Sequence, residues 1–170
     1  MNILLLTQLF QPEPAHLKGL AFAKELVRRG HHVEVLTGFP NYPVGRLYDG
    51  YTMQPWCRED LEGVRVTRVA MIPSHDDRAL HRVATYSSLA LLATVFGPLL
   101  LDPRKFDVVH VYEGPVTLAL PAIAYQVLGR VPYVLDVQDL WPESAESSGM
   151  VRSPWILNAI DRWCRMSYRR

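Results

Sequence analysis

The first forty residues carry a pattern that few folds can accommodate. A short apolar run, Asn2–Thr7 (NILLLT), is followed by a polar loop, Gln8–His16, stiffened by Pro12 and Pro14. Ala15–Arg29 then places Leu20, Ala23, Leu26 and Val27 at three- and four-residue spacings, which predicts a helix. Gly30 stops it, with Arg28 and Arg29 near the helix's negative end. His31-His32 leads into a second run, Val33–Thr37 (VEVLT). Strand, loop, helix, glycine turn and strand make a βαβ unit, whose two strands lie parallel.

The alternation continues. Glu59–Gly63 reads as a turn, and Val64–Val69 (VRVTRV) as a half-exposed strand near an edge. Asp107–Tyr112 (DVVHVY) is a buried strand ending in Glu113-Gly114-Pro115, and Pro115–Leu128 is an apolar, helix-length stretch closed by Gly129. Tyr133–Val137 reads as a central parallel strand, because it is a short apolar run with Pro132 before it and a polar, proline-containing loop after it. Ser153-Pro154 looks like a helix start, and Trp155–Arg170 sets Ile156, Leu157, Ile160, Trp163 and Cys164 on one side. About five strands alternating with helices predict an α/β fold with a doubly wound, mostly parallel sheet. A length of 170 residues fits one domain with a proper core.

Composition narrows the function. A formal net charge of +1 argues against a dedicated nucleic-acid binder, which needs a basic face. The two cysteines, Cys57 and Cys164, offer neither a zinc site nor a disulfide framework and fit a reducing compartment. The N-terminus lacks the basic leader and cleavage site of a signal peptide, so a cytoplasmic protein is expected. Leu89–Leu101 (LALLATVFGPLLL) is strongly apolar but short for a bilayer span and interrupted by Gly97-Pro98. It is either a core helix or an interfacial segment, with Arg78, His81 and Arg82 facing anionic headgroups.

Ligands of open α/β sheets bind beyond the carboxyl ends of the strands. That rule puts Gln138, Asp139, Trp141 and Glu143 at the mouth of a site, with Glu113 at the end of the preceding strand. A simpler account has Asp139 or Glu143 capping the next helix and Trp141 filling a gap. Gly38–Tyr51 is a long loop whose Asn41, Tyr42 and Tyr48 suit polar, ring-shaped ligands, or else pack down on the domain. The glycine fingerprint of dinucleotide sites is absent after the first strand, where Pro12, Glu13 and Pro14 occupy the turn. Lys18 beside Gly19 either meets an anion or is a solvated helix charge.

Taken in order, LLLTQLFQPE, LVRRGHHVEVLTGFPNYP, GVRVTRV, FDVVHVYEGP and, most specific, VPYVLDVQDLWPES resemble the N-terminal domain of GT-B glycosyltransferases. The similarity is to the family 4 retaining enzymes, in the branch that builds bacterial polysaccharides and lipid-linked sugars, and it covers essentially the whole chain. It implies two Rossmann-like domains: an N-terminal one for a sugar or lipid-linked acceptor, and a C-terminal one for a nucleotide-sugar donor. It also implies sugar transfer with retention and no bound metal or cofactor, helix dipoles and basic residues stabilising the leaving pyrophosphate. On this resemblance residues 1–170 are one Rossmann-like N-terminal domain. The donor domain with its paired-glutamate motif has no counterpart here, and the chain alone should have little or no activity.

The resemblance places Asp139 nearest the chemistry, with Gln138 at or next to a position where many relatives carry histidine. Glu113, Asn41, Tyr42, Trp141 and Glu143 are then substrate-binding, together with Glu13, His16 and Lys18 around the first loop. Many relatives have a glycine pair in that loop; this chain has Pro14-Ala15-His16, with His16 or Lys18 as substitutes. The implied location is cytoplasmic, peripheral at the inner face of the membrane. A non-catalytic sugar- or lipid-binding module is the alternative, and a Rossmann oxidoreductase ranks third without its glycine fingerprint.

Overall fold

Alternate residues of the first strand, β1 (Asn2–Thr7), serve different layers: Ile3 and Leu5 pack on one face of the sheet, Leu4 and Leu6 on the other. The computed structural model describes residues 1–14, 18–74 and 79–170. The remaining strands are β2 (His32–Gly38), β3 (Trp56–Leu61), β4 (Val64–Val69), β5 (Val108–Glu113) and β6 (Tyr133–Val137). They form one sheet in the order β3-β4-β2-β1-β5-β6. Among the described residues only β3 is antiparallel, paired with β4; every other pairing is parallel. The helices are α1 (Leu20–Arg28), α2 (Ala79–Leu100), α3 (Ala119–Gly129), α4 (Glu143–Ser147) and α5 (Pro154–Tyr168). Leu20 and Ala23 of α1 cover Ile3, Leu5, Val33 and Val35, while α2 and α3 cover Leu4, Leu6, Leu36 and Val109. This is the doubly wound, mostly parallel α/β sheet of a Rossmann-like domain.

Several local expectations are corrected. The sheet has six strands, because residues 56–61 form a strand where Glu59–Gly63 reads as a turn. The turn itself is confined to Glu62 and Gly63, both at positive φ. In β4, Thr67 and Arg68 are buried along with the valines, so the strand is not half-exposed. β6 is an edge strand and not a central one: Val134 is 52% exposed, and apolar content alone does not reveal which strands have two neighbours. α1 begins at Leu20, and Ala15–Leu17 lie outside the described residues. Neither Asp139 nor Glu143 caps a helix; Pro142 occupies the N-cap of α4 without a side-chain bond.

Gly97-Pro98 does not interrupt α2, which continues to Leu100. A Cβ at Gly97 would lie 2.8 Å from Leu36 Cδ2, so the glycine lets the helix approach the sheet closely. Pro98 falls in the last turn, where only one intrahelical bond is lost. The span Leu80–Leu100 is long and apolar enough, by length and composition, to cross a membrane. Leu89, Ala90 and Ala93 pack inward, whereas Leu91, Val95 and Leu99 are 57%, 55% and 76% exposed at four-residue spacing.

α3 ends differently from expectation. Arg130 takes the left-handed conformation, at φ 58°, while Gly129 is needed for proximity. A Cβ at Gly129 would sit 2.6 Å from Pro103 Cβ and 2.8 Å from its carbonyl carbon. Gly129→Ala is therefore expected to cost about 1–3 kcal/mol in equilibrium urea denaturation. An unchanged midpoint would show that Pro103 moves aside freely.

Candidate functional site

Strand order reverses at β1: β2 and β4 lie on one side of it, β5 and β6 on the other. Such a switch point opens a crevice beyond the carboxyl ends. A cavity of about 210 Å³ occupies it, and the loop after each of the five parallel strands contributes to its wall. Gln8 and Leu9 follow β1, Asn41 and Tyr42 follow β2, Ser74 follows β4, Gly114 and Pro115 follow β5, and Asp139 and Trp141 follow β6. Arg82 and Tyr86 of α2 complete it.

Two buried charges hold this wall. Glu13, expected among substrate-binding residues, is 1% exposed and uses its carboxylate on backbone N–H groups. Asn41 N and Tyr42 N each donate to Oε1 at 2.8 Å, and Phe10 N donates to Oε2 at 3.3 Å. Burial raises its pKa, while those three N–H groups and the Arg68 charge pull it back down. Arg68 is wholly buried, donating to Glu59 Oε1 at 2.5 Å, to Gly38 O at 2.9 Å and to Gln11 O. The loops after β1 and β2 are thus tied together behind Asn41 and Tyr42.

On the opposite wall Trp141 Nε1 donates to Gly114 O at 3.1 Å, which joins the β6 loop to the β5 loop. Asp139 is exposed at the cavity, and its carboxylate makes no hydrogen bond among the described residues. Gln138, its neighbour, is turned elsewhere, donating to Asp136 Oδ1 at 2.7 Å. Lys18 lies there too, 3.3 Å from Asp136 Oδ2 and 4.4 Å above the Phe22 ring. His110 completes this second cluster, its pKa lowered by burial and by the Lys18 charge. Glu143 is exposed at the start of α4 and does not line the cavity. Glu113 ends β5 opposite Val137, but its side chain, like the whole of His16, lies outside the described residues.

The structure thus brings together Asn41, Tyr42, Trp141 and Asp139, and separates them from Gln138, Lys18 and Glu143. It adds two residues the sequence reading left out. Arg82, expected to face headgroups, instead lines the cavity. Tyr86 lies beside it, its pKa raised by burial. The spacing of 82 and 86, one helical turn apart at the start of α2, was the available signal. A wider cleft of about 530 Å³ lies toward the amino ends of β2 and β4. Its charges are partly matched internally, Arg65 to Glu34 at 2.7 Å and Arg58 to Leu100 O at 2.6 Å. Among the described residues no group of three or more His, Cys, Asp or Glu side chains could hold a metal ion.

Because the folded pKa of Glu13 is raised above 4.5, the native state binds more protons than the unfolded chain just above that value. The contribution of this group to stability therefore falls as pH rises from 4.5 through its raised pKa. Glu13→Gln should flatten that dependence in urea denaturation. It should also cost about 1–3 kcal/mol near neutral pH, since an amide NH₂ then meets the Phe10 N–H. An unaltered pH profile would show that Glu13 titrates as in water.

No match was found among curated proteins. A family profile described as "Glycosyl transferase 4-like domain" matches residues 20–170, taking in everything from α1 through α5. With the doubly wound sheet and a cavity at its switch point, this settles the relationship: the chain belongs to the glycosyl transferase 4-like domain family.

Proposed function

We propose that this domain binds the acceptor of a sugar transfer, while a second Rossmann-like half presents a nucleoside diphosphate sugar across a cleft. The observation that supports this best is the cavity itself. A carboxylate without a hydrogen bond among the described residues, Asp139, shares one recess with two amides, two tyrosines and an indole, groups that hydrogen-bond to and stack on sugar rings. Asp139 would orient or deprotonate the acceptor hydroxyl, or bond the donor sugar. Retention of configuration and a role in bacterial cell-surface polysaccharide or glycolipid synthesis are inferred from the likeness of the VPYVLDVQDLWPES stretch to that branch. Without a donor-binding half, this stretch of chain would transfer little or no sugar.

The same reading places the domain in the cytoplasm, peripheral at the inner face of the membrane. The support is the exposed stripe of Leu91, Val95 and Leu99 on α2, apolar surface that a bilayer interface would cover.

In an enzyme joining this domain to a donor-binding half, Asp139→Asn should lower kcat about a hundredfold with an unchanged circular-dichroism spectrum. Wild-type turnover in that variant would remove Asp139 from the mechanism. The wild-type domain should also sediment with anionic vesicles at low salt, and a Leu91→Ser/Val95→Ser variant should remain in the supernatant. Equal sedimentation of the two would discount the stripe.

A further inference from the structure

Of the described residues that line the switch-point cavity, two carry a formal charge at neutral pH, Arg82 and Asp139. No ion pair among the described residues joins them, and Arg82 Nε is buried without a hydrogen-bond partner. Burial raises the Tyr86 pKa, the Arg82 charge lowers it and the Asp139 charge raises it, so both charges act on this one phenol. The recess is therefore bipolar, with a cation from α2 and a carboxylate from the β6 loop on the same enclosed volume.

The neutral lining groups are partly engaged already. Trp141 Nε1 donates to Gly114 O at 3.1 Å and Asn41 Nδ2 to Phe39 O at 3.0 Å. The indole thus offers a face to stack on, and the strongest unmet polar groups are the two charges. Charge at the Arg82 end is reinforced: α2 begins at Ala79 and has no acidic residue in its first turn. The positive end of its dipole therefore adds to the guanidinium. A neutral hydroxyl can accept from an arginine but leaves the charge uncompensated. The paired oxygens of a carboxylate or phosphate match the arginine fork, and such charge-assisted bonds are about twice as strong. Asp139 repels the same anion and accepts a hydroxyl proton instead. A volume of about 210 Å³, below the roughly 300–1,000 Å³ of drug-sized sites, suits a single ring.

Resting on the reading of the cavity as the acceptor site, we infer that the acceptor's terminal sugar is acidic. Its anionic substituent, a carboxylate or a phosphate ester, seats on Arg82, and a hydroxyl across the ring faces Asp139. Arg82 is then a specificity-determining residue in two senses. It selects acidic over neutral sugars, and it fixes which hydroxyl reaches the carboxylate, because turning the ring round would set two anions together at Asp139.

The test titrates the 170-residue chain and follows the indole N–H of Trp141 and the Nε–H of Arg82 by NMR. The probes are a methyl glucuronide, glucose 6-phosphate, a methyl glucoside, inorganic phosphate and uridine diphosphate. At least one acidic sugar should bind about tenfold more tightly than the methyl glucoside, and the tighter of the two identifies the anion as carboxylate or phosphate. Arg82→Gln should erase that preference while leaving the methyl glucoside within about twofold, and Arg82→Lys should restore part of it. Equal binding of the glucoside and both acidic sugars would overturn the proposal, as would a preference that survives Arg82→Gln. Inorganic phosphate or uridine diphosphate binding as tightly as the acidic sugar, with equal dependence on Arg82, would overturn it too, by assigning the arginine to a free anion or to the donor. Every arm reads binding and none reads transfer. Wild-type turnover in Asp139→Asn would therefore count against the proposed reaction and leave the preference standing, whereas loss of the preference would leave the reaction standing.

Discussion

Burying a guanidinium inside a sheet costs several kcal/mol unless its donors are met, and the way Arg68 meets them organises half of the molecule. Its partners come from three places: Glu59 on the edge strand β3, Gly38 at the end of β2, and Gln11 in the loop after β1. Its guanidinium also lies 5.1 Å over the ring of Tyr51, whose hydroxyl donates to Glu59 Oε2 at 3.1 Å. One side chain thus connects an antiparallel edge to the loops behind the cavity. A hydrophobic residue there would pack but would leave these acceptors unfilled, so the charge serves for register and loop placement more than for net stability.

Glu13 does for the loops what Arg68 does for the strands. Three N–H donors converge on its carboxylate, and the wall bearing Asn41 and Tyr42 follows from that convergence. The two buried charges attract each other, which offsets part of the desolvation that each suffers. Asp139 is in the opposite situation. It is exposed, at the mouth and without a hydrogen bond among the described residues, so its acceptor capacity is intact there. The fold thus keeps one carboxylate occupied with structure and leaves another open to solvent.

What could be read from the sequence was the periodic part. Asn2–Thr7, the helix ending at Gly30 and Val33–Thr37 are local patterns, and each became the expected element. The misreadings share a cause, which is that neighbours in space decide them. WCREDL carries too much charge to announce a strand, yet it pairs along its whole length with β4. Arg68 in VRVTRV looked outward because arginine usually does, and only the arrangement of acceptors around it makes burial tolerable. Tyr133–Val137 had the composition of a central strand, but a strand's place in the sheet depends on pairings far along the chain. At the site, strand-end logic located Asp139 and Trp141. It could not tell that adjacent Gln138 turns toward Asp136, nor that Arg82 turns in from a helix.

The edge position of β6 carries a mechanical consequence. β1 is clamped between β2 and β5, whereas β6 has β5 as its sole sheet neighbour among the described residues. The least energy needed to open part of a fold falls where a segment has fewest neighbours. The cavity is accordingly built like a vice with one fixed jaw, Asn41 and Tyr42 anchored through Glu13, and one sprung jaw, the Asp139–Trp141 loop carried by β6. Displacing the sprung jaw means bending a single strand, breaking the Trp141–Gly114 hydrogen bond and loosening the packing of Tyr133 and Leu135 on the cluster around Leu4, Leu6 and Val109.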